Sequence, residues 1–313
     1  MRDTQVKSGI LVIGSLNADL VVRVDQLPRR GETLMGNNFA RFSGGKGANQ
    51  AVAAARLGAL TYMLGRVGTD LFGEEQLRSL AQSGVDTRAV IRDDQGSTGV
   101  AIIAVEEGTG HNSIIVVPGV NAHCDASDIY THQRLVRQVR VMLTQLEIPL
   151  SVVEVAAELA RREEALFILD PAPATPLPAS LLAKIGVITP NEHEAESLSG
   201  VSVRDQAGAR AAAVALRAQG VSAVVITLGD RGVFGMNDEE EFVIAAYDVQ
   251  AVDSVAAGDA FSGALAVALA EGCSLRQSAE FANAAAGLSV TRHGAQPSMP
   301  TRQEVEAFVQ ANR

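Results

Sequence analysis

The sequence predicts an α/β fold: a doubly wound, mostly parallel sheet flanked by helices, with a small antiparallel β lid. Three patterns in the 313 residues lead to this prediction. Short apolar runs rich in β-branched residues are typical of strands buried on both faces. Longer Ala-, Leu-, Glu- and Arg-rich segments with helical spacing lie between them, as in β-α-β units. Two further stretches alternate apolar and polar residues, which indicates half-exposed strands.

The elements of the main sheet are predicted along most of the chain. Buried strands are expected at residues 10–13, 141–143, 166–169, 187–188 and 223–226. Helices are expected at residues 46–57, 73–83, 151–162, 203–219 and 274–290, with another ending near residue 270. In folds of this class ligands bind outside the carboxyl ends of the strands.

The alternating stretches comprise residues 17–24 and 32–42, and a hairpin of residues 98–105 and 112–117 closed by Gly108-Thr109-Gly110. They are expected to join as one small sheet, although they are separated in sequence. Periodicity supports two interpretations equally, a lid over the strand ends of the main sheet or an extension of that sheet at its edge.

Composition and charge exclude several classes of protein. The formal net charge of −10 opposes a large nucleic-acid interface, because phosphate contacts need a basic surface. Cys124 and Cys273 are far apart, which argues against a disulfide framework or a zinc site, and the five His residues fall in unrelated segments. No apolar run has the length of a membrane span, and the first residues lack a signal-peptide core. We therefore expect a soluble, cytoplasmic protein without nucleic-acid or membrane partners.

The strongest local signal is the run of small residues from Asp253 to Ala264, which leads directly into an Ala- and Leu-rich helix. The first N–H groups of a helix are unpaired and carry partial positive charge, so they bind phosphate well. Ala257 and Gly258 would let an anion approach closely, and Asp259 would project beside it to accept a proton. The alternative is that Asp259 only compensates the helix dipole.

A second glycine motif, Gly44-Gly45-Lys46-Gly47-Ala48-Asn49-Gln50, precedes another Ala-rich helix. It is not a P-loop, because Lys46 is followed by Gly47 instead of Ser or Thr. Its amides, Lys46 and Asn49 suit a polyhydroxylated ligand, and a tight strand-to-helix turn is the alternative.

Two pairs of polar residues follow predicted strands. Asn17 and Asp19 point the same way in an extended chain and could reach one ligand, or they could form a turn. Asn191 and Glu194 have the spacing of a capping box, and both also suit water-mediated Mg²⁺ binding. The loop from Thr227 to Gly232 could surround a nucleotide or be a hairpin turn. Neither a G-x-S-x-G elbow nor a strand-linked G-x-G-x-x-G motif is present, so hydrolase and dinucleotide oxidoreductase chemistry lose support.

In combination these motifs resemble those of the ribokinase-like (PfkB) carbohydrate kinases, in the same order, from about residue 10 to residue 309. Residues 44–51 resemble the first signature of that family and residues 251–261 the second, more specific one. Residues 290–298 resemble a characteristic C-terminal segment. The departures are few: Ser254 stands where Thr is common, and Asn283 where some members have His.

The resemblance implies ATP-dependent transfer of phosphate to a sugar CH₂OH group, here O5 of D-ribose. It implies that Asp259 is the catalytic base and that the amides of Ala256, Ala257 and Gly258 form an anion hole. The residues that match sugar-binding positions are Asn17, Asp19, Gly45, Lys46, Asn49, Glu147 and Asp259. Those that match nucleotide-binding positions are Asn191, Thr227, Leu228, Gly229, Asp230, Arg231, Gly232, Gly258 and Asn283.

The resemblance also implies two metal ions. Mg²⁺ would accompany ATP, held near Glu194 through water, and K⁺ would act as a monovalent activator beside the anion hole. The residues that match the K⁺ site are Asp253, Val255, Ser289, Arg292, Gly294 and Ser298, several of them through backbone oxygens.

A homodimer formed through the lid is also implied. The predicted main domain comprises residues 1–16, 48–96 and 120–313, and the discontinuous lid comprises residues 17–47 and 97–119. Two alternatives to a kinase acting on ribose remain. The first is a kinase for another pentose, deoxyribose or a nucleoside. The second is a sugar sensor without catalytic activity, which is disfavoured by the presence of Gly258 and Asp259.

Overall fold

The computed structural model describes residues 9–108 and 111–312, and in these residues the strands form two separate sheets. The strands are β1 (Ile10–Ile13), β2 (Asn17–Val24), β3 (Asn38–Gly44), β4 (Thr61–Gly68), β5 (Asp86–Asp93), β6 (Gly99–Glu106), β7 (Asn112–Val117), β8 (Val141–Thr144), β9 (Leu166–Leu169), β10 (Val187–Ile188), β11 (Ala223–Thr227), β12 (Val233–Met236) and β13 (Glu241–Ile244).

The helices between the strands cover both faces of the larger sheet. They are α1 (Lys46–Arg56), α2 (Leu71–Gln82), α3 (Ala126–Thr131), α4 (Gln133–Gln138), α5 (Leu150–Arg162), α6 (Ala179–Leu182), α7 (Glu192–Ser199), α8 (Gln206–Ala218), α9 (Ala257–Glu271), α10 (Leu275–Ser289) and α11 (Arg302–Ala311). None of these helices is both long and apolar enough to cross a membrane.

The larger sheet has nine strands in the order β13-β12-β11-β10-β9-β8-β1-β4-β5. Its pairs are parallel from β11 to β5, and β12 and β13 are added antiparallel at one edge. The direction in which the chain crosses the sheet reverses at β1, which pairs in parallel with both β4 and β8. Such a reversal leaves a crevice at the carboxyl ends of the strands, where ligands of this fold class bind.

The core lies on both faces of this sheet. In β1, Leu11 and Ile13 belong to one buried cluster, whereas Ile10 and Val12 belong to the other. Fully burying one such side chain stabilises the fold by about 1.5–3 kcal/mol. The predicted two-sided burial of the parallel strands is therefore confirmed, and each predicted strand and helix of the main sheet is present with boundaries shifted by up to three residues.

The smaller sheet has the order β3-β2-β6-β7. It is separate from the main sheet, so the interpretation as an edge extension was wrong. The prediction that it is antiparallel is correct for β2–β3 and β6–β7 and wrong for β2–β6, which is a parallel pair. The reason is topological: β2 follows β1 and β6 follows β5, two strands with the same direction in the main sheet, so both enter the lid in the same direction.

Some sequence patterns gave incomplete or wrong boundaries. The strand expected at 32–42 begins only at Asn38, after a stretch without regular structure. The alternation there came from a loop between Pro28 and Gly36. In the hairpin turn, Thr109 and Gly110 lie outside the described residues. The strands β4, β5, β12 and β13 were not predicted, since glycine and charged residues interrupt their apolar pattern. Both cysteines are unpaired, as expected.

Candidate active site

The amino end of α9 has an open, strained start. Ala256 precedes the helix with φ +61°, a left-handed conformation that costs a residue with a side chain about 1–3 kcal/mol. No side chain caps the helix. Of the amides predicted to form the anion hole, the Ala257 N–H donates to the Ser254 carbonyl at 3.3 Å, whereas those of Ala256 and Gly258, and also that of Asp259, find no acceptor among the described residues. A Cβ atom placed on Gly258 would meet nothing within 4 Å. The helix start thus presents free N–H donors to empty space, as an anion site requires.

Asp259 is held at this helix start by two neighbouring residues of α1. It is only 4% exposed. The Asn49 amide donates to its Oδ2 at 2.9 Å, and the Gln50 amide donates to its Oδ1 at 3.0 Å. The structure thus brings together Asn49 and Asp259, which the sequence assigned to one site, and adds Gln50, which the sequence analysis missed.

Two cavities meet at this point. One is a cleft of about 620 Å³, and the other is a smaller, polar cavity of about 230 Å³. The helix start forms part of the wall of both. The residues that line both cavities are Asn191, Thr227, Ser254, Ala257 and Gly258.

The larger cleft contains most of the predicted nucleotide-binding residues. Those that line it are Asn191, Thr227, Gly229, Asp230, Gly232, Gly258 and Asn283. Two predicted residues do not line it. Leu228 is buried in the core, and Arg231 pairs with Glu192, a residue of the cleft wall, and donates to the Arg204 carbonyl. The predicted nucleotide loop, residues 227–232, includes a 3-10 turn at Gly229–Arg231, so its six side chains cannot all face one cleft.

A segment without regular structure closes the far side of this cleft. Ala246, Tyr247 and Val249 line it and lie outside the predicted motifs, and Ala251, the first residue of the second signature, lines it as well. Asn283 fixes the segment, because its Nδ2 donates to the Ala245 carbonyl at 2.9 Å. No motif marks residues 246–249 in the sequence, because their role depends on the position of α10 behind them.

The smaller cavity concentrates charge. Lys46 lines it together with Asp170, Glu194 and Asp259. Burial opposes the charge of Lys46, but the surrounding carboxylates raise its pKa above the usual value, and these belong to Asp259, Asp170, Glu147 and Glu194. Lys46 is therefore protonated over the physiological range, and it offers a fixed positive charge to an anion in the cavity.

Two of these carboxyl groups are buried strongly enough to titrate abnormally. Burial raises the pKa of Asp170 well above its usual value, and Lys46 opposes this shift. Burial also raises the pKa of Glu194, whereas the hydrogen bond from the Asn191 backbone lowers it. Asn191 and Glu194 form the predicted capping box of α7, with reciprocal bonds of 2.8 and 2.9 Å. The capping-box interpretation is therefore confirmed. Glu194 also lines the smaller cavity, and its role in water-mediated Mg²⁺ binding stays a prediction.

The sugar-binding residues predicted at the start of the lid lie next to Asp259. Burial, together with the negative charges of Glu147 and Asp259, raises the pKa of Asp19 to about 7. Glu147 accepts hydrogen bonds from the Ser15 hydroxyl and from the Lys46 backbone N–H. One acidic cluster therefore joins the end of β8, the start of β2 and the start of α9.

Close backbone approach requires glycine on this side of the site. Gly45 has φ +88°, and a Cβ atom there would lie 2.7 Å from the backbone nitrogen of Asn17. A Cβ at Gly44 would lie 2.0 Å from the Asp19 carboxylate. The glycines of the first motif thus let β2, β3 and α1 converge where Asn17 and Asp19 begin the lid.

Buried polar residues outside the motifs support this convergence. The side chain of Asn121 accepts from the Leu16 N–H at 3.0 Å and donates to Asn17 Oδ1 at 2.8 Å. Gln76 of α2 donates to the carbonyl oxygens of Asn17 and Gly44.

The Oδ1 atom of Asn49 is buried and has no partner. It is an unsatisfied acceptor of the kind that a ligand hydroxyl would satisfy.

The residues predicted to hold K⁺ lie on two loops that Asp253 ties together. Its carboxylate accepts from the Val255 N–H at 2.9 Å and from the Gly294 N–H at 3.0 Å. In the described residues, the carbonyl oxygens of Asp253, Val255, Arg292 and Gly294 accept no hydrogen bond. Free carbonyl oxygens are suitable ligands for a hard monovalent cation.

The other predicted K⁺ residues are placed nearby by local turns. The Ser289 carbonyl accepts from the Arg292 N–H at 3.1 Å, and Ser298 Oγ donates to the Ala295 carbonyl. The Arg292 side chain points away and pairs with Glu304 at 2.6 Å, so only its backbone can contribute. No group of three or more His, Cys, Asp or Glu residues suited to a metal ion occurs among residues 9–108 and 111–312.

Comparison with known proteins shows the family to which this chain belongs. The family model of the pfkB carbohydrate kinases matches residues 7–302. Ribokinase of Haemophilus influenzae is 42% identical over 305 residues, covering 97% of this chain and 99% of that protein. Deoxyribokinase of Salmonella typhi is 35% identical over 304 residues, covering 97% and 99%. The solved structure of Arabidopsis thaliana ribokinase complexed with ribose and ATP has a TM-score of 0.90 and 34% identity, covering 97% and 99%.

The chain therefore belongs to the pfkB family of carbohydrate kinases, as the resemblance of its motifs implied. It is a phosphotransferase that binds ATP. Ribokinase is the activity that the relatives support best, with deoxyribokinases also close.

Proposed function

We propose that this protein transfers the γ-phosphate of ATP to O5 of D-ribose, with Asp259 as the base and the start of α9 as the anion hole. The observation that carries this proposal is the position of Asp259, buried in the wall of the smaller cavity at an uncapped helix start whose residues line both cavities. The relatives named ribokinase and the Arabidopsis structure with ribose and ATP support the choice of substrates.

In the proposed reaction ATP occupies the larger cleft and the sugar lies against Asn17, Asp19 and Asn49. The C5 hydroxyl attacks the γ-phosphorus, and the bond between this phosphorus and the β,γ-bridging oxygen breaks. ADP leaves with the electron pair, and the hydroxyl proton moves to Asp259. Phosphoryl transfer has a loose transition state, so positioning and charge stabilisation contribute more than the strength of the base.

Charge on the migrating phosphoryl group would be stabilised from two sides. The free N–H groups of Gly258 and Asp259 approach it from the helix start, and Lys46 offers its ammonium group from the polar cavity. Glu194 would hold the Mg²⁺ of Mg-ATP through water, which suits its buried carboxylate on that cavity wall. Bound Mg²⁺ neutralises phosphate charge.

K⁺ would lie beside the anion hole, between the loop of Asp253 and Val255 and the loop of Arg292 and Gly294. The backbone carbonyl oxygens of these loops would bind it. Because the loop of Asp253 and Val255 continues into Ala256, the ion would orient the amides of the hole. We expect K⁺ to raise kcat relative to Na⁺ in desalted enzyme. Equal rates in both salts would contradict this part of the proposal.

We also propose that residues 17–47 and 97–119 act as a lid, over a main domain of residues 1–16, 48–96 and 120–313, and that the lid pairs two copies in a cytoplasmic homodimer. Four consecutive side chains of the outer strand β7, from Ile114 to Val117, are exposed and apolar. Such a patch favours a protein interface. Sedimentation should give twice the chain mass, and charged substitutions at Ile114 and Ile115 should give a monomer.

The test of the substrate is a coupled ADP-release assay with D-ribose, 2-deoxyribose, fructose 6-phosphate and adenosine. The highest kcat/KM is expected with D-ribose. Preference for 2-deoxyribose would favour the second candidate, which the 35% identity to a deoxyribokinase supports. Tight sugar binding without turnover would indicate a sugar sensor and would overturn the proposal.

A further inference from the structure

We infer that Gln50 is a positioning residue that fixes the carboxylate of Asp259 through its side-chain amide. The inference rests on the proposed function, because it gives Gln50 its role through the base. Neither composition nor either glycine motif separates Gln50 from the other polar residues of α1.

The geometry around Gln50 is that of a bridge between two carboxylates. Gln50 is completely buried. Its Nε2 donates to Asp259 Oδ1 at 3.0 Å and to Asp170 Oδ2 at 2.6 Å, so both amide hydrogens are used. Asn49 occupies the other oxygen of Asp259, at 2.9 Å. Consecutive residues of α1 thus hold one carboxylate oxygen each, which fixes the plane of the Asp259 carboxyl group.

A hydrogen bond from Gln145 fixes the orientation of the Gln50 amide. Its Oε1 accepts a hydrogen bond from Nε2 of Gln145, which is also fully buried at the end of β8. An amide held at its oxygen must present its NH₂ group to the carboxylates. Gln145 therefore acts one step further from the reacting atoms, in the same chain of hydrogen bonds.

The two helices that carry this contact pack closely against each other. A Cβ atom on Gly263 of α9 would lie 2.7 Å from the Ala53 side chain and 2.9 Å from the Gln50 carbonyl oxygen. The backbones of α1 and α9 are thus in close contact, one turn beyond Asp259. Because both ends of the hydrogen bond sit on packed helices, Gln50 holds Asp259 with little freedom.

The bridge also keeps the two acidic groups apart. Carboxylates that face each other directly tend to share one proton. An amide NH₂ group placed between them donates to both and accepts from neither. Gln50 thus separates the two carboxyl groups and gives each of them one amide hydrogen. Charged groups that face Asp259 from the neighbouring elements are Asp19, Lys46, Asp170 and Glu194.

The test compares Gln50→Leu in two backgrounds. In the otherwise unchanged enzyme, Gln50→Leu should lower kcat about 10–100-fold, the size of effect that losing an orienting outer-shell partner has at metal sites. The KM for ATP should change less than about twofold, because Gln50 lines neither cavity. In the Asp259→Asn background the same change should alter the residual rate less than about twofold, since the group it orients is gone.

Gln145→Leu supplies a second measurement that leaves both carboxylate contacts of Gln50 in place. It should lower kcat less than Gln50→Leu, again with KM for ATP preserved and again without effect in the Asp259→Asn background. If Gln50→Leu does not fold, the effect of Gln145→Leu on kcat tests whether Gln50 positions Asp259. Thermal unfolding of each purified variant shows whether it folds.

The inference is overturned if these substitutions lower kcat equally in both backgrounds, because Gln50 would then serve Asp170 or the core. It is also overturned if kcat is unchanged. Failure of the proposed function is a separate result: Asp259→Asn alone would then retain normal turnover with D-ribose.

Discussion

The amino ends of α9 and α10 differ in whether the first N–H groups of the helix have a hydrogen-bond acceptor. At α10, Ser274 Oγ accepts from the Gln277 N–H, and the Gln277 side chain accepts from the Ser274 N–H, so the first donors are satisfied internally. At α9, Ala256 offers no side-chain acceptor, and its left-handed backbone directs the following amides into two cavities. A capped start contributes stability, whereas an uncapped start keeps its donors for a ligand.

The largest effect is expected at the acidic residue of the uncapped start. Asp259→Asn should lower kcat about 10³–10⁴-fold, because the sugar hydroxyl loses its proton acceptor while the side chain keeps nearly the same size. Binding of ATP should be nearly unchanged. Turnover by labelled phosphate transfer and ATP affinity by calorimetry measure the two quantities, and near-normal turnover would remove Asp259 from its proposed role.

A matched pair of substitutions tests the two helix starts directly. Gly258→Ala should lower kcat about 10–100-fold, since a methyl group would enter the space that the phosphoryl group needs. It should leave the free energy of unfolding unchanged or slightly higher, because the added Cβ meets no atom within 4 Å. Ser274→Ala should do the reverse, lowering the free energy of unfolding by about 1 kcal/mol with normal kcat.

Steady-state kinetics and urea unfolding of both variants provide the comparison. If Ser274→Ala lowered kcat as much as Gly258→Ala, or if Gly258→Ala unfolded more easily with normal kcat, the contrast between the two starts would be wrong.

The smallest expected effects are on the pH dependence of the free energy of unfolding. This dependence should have opposite signs for Asp19, at the candidate site, and for Glu304, at a capped helix. The pKa of Asp19 is raised to about 7, so the folded protein binds this proton more tightly than the unfolded chain does. Stability from this group is present at low pH and is lost as the pH rises towards 7. Asp19→Asn should therefore raise the free energy of unfolding relative to the parent protein at pH 8, and the gain should shrink towards pH 4.

Glu304, at the capping box of α11, should show the opposite sign. Hydrogen bonds from Arg292 and Thr301 lower the pKa of Glu304 to about 2. Its stabilising contribution is present above about pH 4.5 and is lost as the pH falls towards 2. Glu304→Gln should thus destabilise the protein at neutral pH and converge with the parent in acid. Urea titrations at several pH values measure both trends, and parallel pH dependence of the two variants would contradict the assignment.

The sequence predicted the parts of the fold and site that carry local chemical signatures. Apolar, β-branched runs identified the buried parallel strands, and the small residues near Gly258 identified the start of α9. The spacing of Asn17 and Asp19 predicted that both would reach one region. These features depend on residues close together in the chain, so the pattern is complete within a short window.

The remaining parts depend on contacts between distant segments. Gln50 and Gln145 are ordinary polar residues in the sequence, and only the packing of α1 against α9 and β8 gives them their contacts. Asn121 contacts Asn17 across more than a hundred residues. Leu228 and Arg231 do not line the larger cleft, because the side chains of the contiguous loop 227–232 face different ways, and their contact with a nucleotide stays a prediction.

The wall shared by the two cavities also has an evolutionary consequence. A substitution at Thr227 or Gly258 changes the surroundings of both reactants at once, so such positions have little freedom to vary. Residues outside this shared wall, such as Tyr247 in the larger cleft or Asp19 at the start of the lid, would change preference for one reactant alone. New acceptor specificities can therefore arise in this scaffold by changes at the lid, without rebuilding the part that moves the phosphoryl group.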